Sequence, residues 1–267
     1  MTGRLPREIA PDVFWLGGCL GVMVAGQLVH GYSSTYLIRG TEKTLLIDSG
    51  HPVDWAAVEH GLHEVLGDRD LDMVLPTHAE LPHAGNLRRL LTAYPHAVTV
   101  GDVRDYHLYY PEFADRLQPM PVGTLIELGG GLEVEVVDGL IRDLPNTVWA
   151  YERSRRILFV ADGFAYLHRP ELSDRDEATP YHLPGECYLK VSELDEFPTM
   201  ENAQFFTTLS LYWSRYVDNS AELYRQLDSL LESHPTDLVA PAHGSVIDEL
   251  DDMVPLMAAA HRAAFQG

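Results

Sequence analysis

The sequence predicts an α/β fold, an αββα sandwich, and three observations carry it. Apolar strand-like runs alternate with helical patterns, strands stand both before and after the intervening helices, and no internal repeat or low-complexity linker divides the chain. Spacing alone does not separate this layout from other α/β arrangements. Val13-Phe14-Trp15-Leu16, Ser34-Thr35-Tyr36-Leu37-Ile38 and Thr44-Leu45-Leu46-Ile47 are expected as the early strands. Residues 54–66 have helical periodicity, Met73-Val74-Leu75-Pro76 reads as a short buried strand, and a second helix is expected from about Gly85 to Thr92. Val98-Thr99-Val100 follows, then residues 132–137, which alternate apolar and acidic as a half-exposed strand does. Val148-Trp149-Ala150-Tyr151 and Ile157-Leu158-Phe159-Val160-Ala161 are later strands. Helices at about 201–217 and 220–233 precede the last one, Leu238-Val239-Ala240-Pro241-Ala242. A chain of 267 residues with 46% apolar residues fills one large core, so residues 1–267 are expected as a single domain.

Charge narrows the function. Forty acidic against nineteen basic residues give a formal charge of −21, which argues against a nucleic-acid partner, since phosphates need Lys and Arg to neutralise them. Cys19 and Cys187 are too few for a disulfide scaffold. Residues 1–20 carry no secretory pattern, and no apolar run approaches the ~20 residues of a membrane helix, so a cytoplasmic protein without a membrane partner is expected.

The stretch Thr77-His78-Ala79-Glu80-Leu81-Pro82-His83-Ala84-Gly85-Asn86 leaves the strand at 73–76. Two histidines and a carboxylate on one short loop can converge on a metal with little loss of chain entropy. A polar loop with two surface histidines is the plain alternative, in a chain with thirteen of them. Two further strands deliver ligand-type residues at their ends, Asp162 before Gly163 and His243 before Gly244, each glycine letting the backbone turn away. Asp143, ahead of the strand at 148–151, adds another carboxylate; beside Arg142 it also reads as half of an ion pair, with Asp138 as a neighbouring substitute.

These residues, in this order, resemble the metallo-β-lactamase superfamily, whose signature is Thr-His-x-His-x-Asp-His-x-Gly, then a His, a strand-end Asp and a final His-Gly. His78, His83, Gly85, Asp162 and His243-Gly244 match, and Leu45-Leu46-Ile47-Asp48-Ser49-Gly50 looks like the family's early strand ending in Asp and Gly. The resemblance runs over roughly residues 12–250. Glu80 stands where the hydrolases have their second histidine, which is similar to the flavodiiron and related oxygen-binding diiron proteins with His-x-Glu-x-Asp-His. Pro82 and Asp143 depart even from that pattern, standing in place of an aspartate and a histidine.

By ligand chemistry, a first metal takes His78, Glu80 and Asp143, with Asp162 bridging to a second held by His83, His243 and the other Asp162 oxygen. Two histidines and a carboxylate leave open positions suited to non-haem iron. Three carboxylates among three imidazoles stabilise the higher oxidation states of iron and manganese, so two irons are expected over zinc or a mixed metal, with zinc or manganese as alternatives. The missing donor at position 82 weakens occupancy of the second position. The resemblance implies a diiron oxidoreductase that binds or activates O2 or a related small oxidant. The flavodiiron proteins carry a fused flavodoxin domain; without one in this chain, electrons are expected from a separate donor protein. The alternative is a metallohydrolase of a lactone, ester or thioester using a metal-bound water.

Residues 163–200 are long and proline-punctuated for a connection, which reads either as a lid insertion or as an exposed loop. As a lid they would bring His182 and Glu186, and also His168, to the metals as catalytic groups beside Asp162. Phe205, Leu209, Tyr212, Trp213 and Tyr216 fall largely on one side of the helix that follows, as a core or homodimer contact.

Overall fold

A computed structural model describes residues 5–24, 27–167 and 188–265. Its first sheet runs in chain order. β1 (Arg7–Ala10), β2 (Val13–Val24), β3 (Gln27–Arg39) and β4 (Thr44–Ile47) pair antiparallel, and β5 (Met73–Leu75), β6 (Val98–Gly101) and β7 (Leu117–Pro119) continue parallel. The second sheet has the order β12-β11-β10-β9-β8. There β8 (Leu125–Gly129), β9 (Leu132–Asp138), β10 (Val148–Glu152) and β11 (Ile157–Phe159) are antiparallel, and β12 (Leu238–Ala240) lies parallel to β11.

Short, wholly apolar strands form here because both faces are covered. Successive side chains alternate, so Leu45, Ile47, Ile157 and Phe159 enter the layer between the sheets, whereas Leu46 and Leu158 point outward. The outer face of the first sheet is covered by α1 (Trp55–Leu66), whose Val58, Leu62 and Val65 pack on Leu16, Leu37 and Leu46, with α2 (Leu81–Ala84), α3 (Leu87–Ala93) and α4 (Tyr106–Tyr109) alongside. The second sheet is covered by α5 (Met200–Ser210), α6 (Tyr212–Tyr216), α7 (Ser220–Ser233) and α8 (Leu250–Phe265), through Phe206, Leu227, Met253 and Met257. One apolar layer between the sheets and one beneath each helical face make an αββα sandwich.

Several elements differ from the expected ones. β2 and β3 extend well beyond Val13–Leu16 and Ser34–Ile38, because a continuous antiparallel register from Val13↔Ile38 to Val24↔Gln27 sustains glycine-rich sequence that hydrophobic patterning does not reveal. The helix at 201–217 is two helices, since Leu211 (φ −77°, ψ 57°) leaves helical geometry to bury its side chain. The break also corrects the expected apolar stripe, for Phe206 rather than Phe205 is buried, while Tyr212 and Tyr216 are exposed. α8 was not expected, because Pro255 lies inside it and proline reads as a helix breaker. The start and end of the stretch at 163–200 are part of the packed fold. Phe164, Ala165 and Tyr166 are buried in the core, and on the far side the Val191 N–H donates to the Val246 carbonyl. His168, His182 and Glu186 lie outside the described residues. Among the described residues no helix is long and apolar enough to cross a membrane.

Beneath α8, His261 is fully buried, with Nδ1 2.5 Å from the Tyr224 hydroxyl, and burial pushes its pKa down to about 3. An imidazole that is neutral when folded but titrates near 6.5 when unfolded adds stability above pH 6.5. That stability is lost as pH falls towards 3. Between pH 8 and pH 5 the native protein should therefore lose roughly 2 kcal/mol more stability than His261→Phe. Urea midpoints of both proteins at the two pH values measure this, and equal losses would exclude the effect.

Candidate metal centre

The candidate ligands gather at strand ends along one edge of the sandwich. β5 ends in the loop that carries His78 and Glu80, and that loop becomes α2, where Pro82 occupies the first turn. Proline is tolerated there because its missing N–H would have no intrahelical partner. His83 follows one residue on and is fully buried. From the opposite sheet, the chain leaving β11 delivers Asp162 and the chain leaving β12 delivers His243. Asp143 arrives on the loop between β9 and β10.

Asp162 lies between two groups of donors. Its Oδ2 is 3.6 Å from His78 Nε2, while its Oδ1 is 3.4 Å from the Nε2 atoms of both His83 and His243. Asp143 Oδ1 is 3.5 Å from His78 Nε2. Donor atoms of His78, His83 and Asp162 lie within 4.8 Å of one another, as do those of His78, Glu80 and Asp143. The ion-pair reading of Asp143 falls, because Arg142 turns to Asp138 (3.4 Å) and Asp218 (3.9 Å) and leaves Asp143 buried beside His78. The same contact holds Asp138 outside the cluster.

Each imidazole is oriented from behind. Asp48, at a left-handed φ of 59° just after β4, accepts from the Thr77 N–H (2.7 Å) and hydroxyl (2.8 Å) through Oδ1. Its Oδ2 lies 2.8 Å from His83 Nδ1. The Tyr32 carbonyl lies 2.5 Å from His243 Nδ1, and the Thr77 hydroxyl 3.3 Å from His78 Nδ1. All three rings thus present Nε2 to the centre, with Nδ1 partnered as in oriented metal ligands. The strand ending in Asp48 was visible in sequence, but its bond to His83 was not. Phe206, whose ring lies 5.2 Å from that of His243, was missed because the expected helix had a different phase.

The electrostatics are those of crowded like charges. Burial, then the charges of Asp162 and Glu80, push the Asp143 carboxyl up to about 8. Burial and Asp162 also raise Glu80. Asp162 is itself held below the carboxylate range, since His83, His243 and His78 outweigh its burial. Burial lowers His78 and His243, whereas Asp48 and Asp162 outweigh burial at His83 and raise it. His78 Nε2, His83 Nε2, Asp143 Oδ1 and Asp162 Oδ1 are buried without a hydrogen-bond partner. Each such atom costs about 1–3 kcal/mol unless something satisfies it. Cations would satisfy all four and offset the carboxylate repulsion, so the residues fit a metal pair.

An αββα sandwich with a buried histidine–carboxylate cluster at its strand ends defines a class of metal-site proteins. The metallo-beta-lactamase superfamily profile matches residues 28–243, and the chain belongs to that superfamily. The relatives it matches include an oxidase and nitric oxide reductases, and the solved structures it resembles include flavodiiron proteins. The coenzyme F420H2 oxidase of Methanocaldococcus jannaschii is 25% identical over 255 residues, covering 90% of this chain and 56% of that protein. The anaerobic nitric oxide reductase flavorubredoxin of Pectobacterium atrosepticum is 24% identical over 222 residues, covering 80% and 38%. Rubredoxin oxygen:oxidoreductase from Desulfovibrio gigas superposes with a TM-score of 0.73 at 16% identity, covering 97% of this chain and 61% of that one. The flavodiiron protein from Giardia intestinalis does so at 0.71 and 19%, covering 98% and 59%. The chain thus spans from about two fifths to three fifths of the length of these proteins.

Proposed function

We propose that this chain is a single-domain metal-binding unit of a flavodiiron-type oxidoreductase that acts on O2 or nitric oxide. The observation that carries the reading is the division of Asp162, one oxygen towards His78 and the other towards His83 and His243, inside a set containing three carboxylates. The names of the relatives, an oxidase and a nitric oxide reductase, support the same reaction class. In this reading His78, Glu80, Asp143 and Asp162 would hold one iron, and His83, His243 and Asp162 would hold the other. When bound, the iron pair would supply the redox chemistry. The protein's own part is placement. Asp48 and the Tyr32 carbonyl fix His83 and His243, and Phe206 lays an apolar ring against the His243 side, where it limits water. Electrons are supplied by a redox donor, and a cytoplasmic homodimer is the expected setting.

Metal analysis of protein isolated without air, followed by its absorption spectrum on admitting air, tests this. Two irons per chain and a new oxygen-dependent band are expected. Zinc with no spectral change would overturn the reading and point to lactone and ester hydrolysis. Because Glu80 makes the first position carboxylate-rich, Glu80→His should raise the bound zinc-to-iron ratio about tenfold. An unchanged ratio would remove Glu80 as the determinant of selectivity.

A further inference from the structure

We propose that Ser214 is the positioning residue for Asp143, an inference that rests on Asp143 holding metal as proposed above. Ser214 lies on α6, outside the cluster, and is fully buried. Its N–H donates to the Arg142 carbonyl at 3.0 Å, and its Oγ accepts from the Arg142 N–H at 2.9 Å. The same hydroxyl donates to Asp218 Oδ2 at 3.2 Å. Both backbone groups of the residue preceding Asp143 are therefore held by one serine.

The Arg142 side chain reinforces the clip, because its contacts with Asp138 and Asp218 turn it away from the cluster. At the far end of the loop, the Val148 N–H donates to the Thr77 carbonyl at 2.9 Å, tying it to the residue before His78. Asp143 hangs between these two ties. An aspartate carboxylate stands only one methylene from its own Cα, so its oxygens can be placed no better than its backbone. A longer side chain could correct a loop displacement by changing rotamer, but Asp143 cannot. Asp143 Oδ1 stands 3.5 Å from His78 Nε2, and because ligands must be held to within about 0.5 Å of their productive geometry, a loop shift of about 1 Å would misplace the carboxylate as a ligand.

Anaerobic iron(II) titration of the full chain, followed by calorimetry, tests this in a double-mutant cycle. Ser214→Ala should weaken one of the two iron ions about tenfold and leave the other unchanged. In the Asp143→Ala background it should add no further loss, which a merely structural role would not produce. Asp218→Ala removes the acceptor of the Ser214 hydroxyl together with one of the two contacts of the Arg142 side chain, at a partly exposed side chain. It should weaken the same ion about threefold. Equal weakening by Ser214→Ala with and without Asp143 would overturn the proposal. So would no effect of Ser214→Ala while Asp143→Ala weakens binding, although Asp143 would then stand as a ligand. If Asp143→Ala itself leaves binding unchanged, the ligand reading fails first and the proposal falls with it.

Discussion

Asp162→Ala is expected to cost both metal positions at once, with affinity falling at least roughly 100-fold at each. The reason is geometric, since its two oxygens face different donors and one truncation removes an oxygen from each set. Truncating a one-sided donor has a narrower result, so His243→Ala should empty only the position shared with His83. The two variants, compared by metal content and iron(II) titration, read the sharing directly. If Asp162→Ala retains one ion at close to native affinity, the carboxylate is not shared and the two positions are independent.

Gly244→Ala should be strongly destabilising although it adds a single methyl group. Gly244 adopts φ +108°, and an added Cβ would lie 2.6 Å from Cε1 of Tyr166. Tyr166 cannot retreat, because it is fully buried, accepts from the Ser245 N–H at 3.0 Å, and donates its own N–H to the His243 carbonyl. Backbone strain and forced repacking together should cost about 3 kcal/mol or more, lowering Tm by roughly 6–12 °C. Gly131→Ala is the matched control, since it has φ +80° with nothing within 4 Å of the added Cβ. Its loss should be limited to the backbone part, about 1 kcal/mol. Equal losses in the two variants would mean that the Tyr166 contact does not constrain the His243 turn.

What could be read from the sequence follows from how local each signal is. His78, Glu80 and His83 share six residues of one loop, so their convergence needs no knowledge of the fold. Asp162 and His243 each close an apolar run before a glycine, a pattern that burial between two layers imposes. Asp143 was ambiguous because Arg142 stands beside it, and only the fold shows that arginine engaged by Asp138 and Asp218. The Tyr32 carbonyl behind His243 could not have been read, since a backbone acceptor has no residue signature. Phe206 was missed for a phase reason, because the break at Leu211 separates two helices that a single period of 3.6 had joined. The length of β2 and β3 was hidden because hydrogen-bond register, rather than apolar alternation, sustains their glycine-rich ends.

The cluster's placement has a mechanical consequence. His78 and His83 leave the end of β5 in one sheet, and Asp162 and His243 leave the ends of β11 and β12 in the other. Donors rooted on both sides of the sandwich act as a hasp on its rim. Ions held there would fasten the two sheets together, and any breathing motion that parts the sheets would prise the donors from the ions. Release of metal and opening of that rim would then be a single event, seen from two sides.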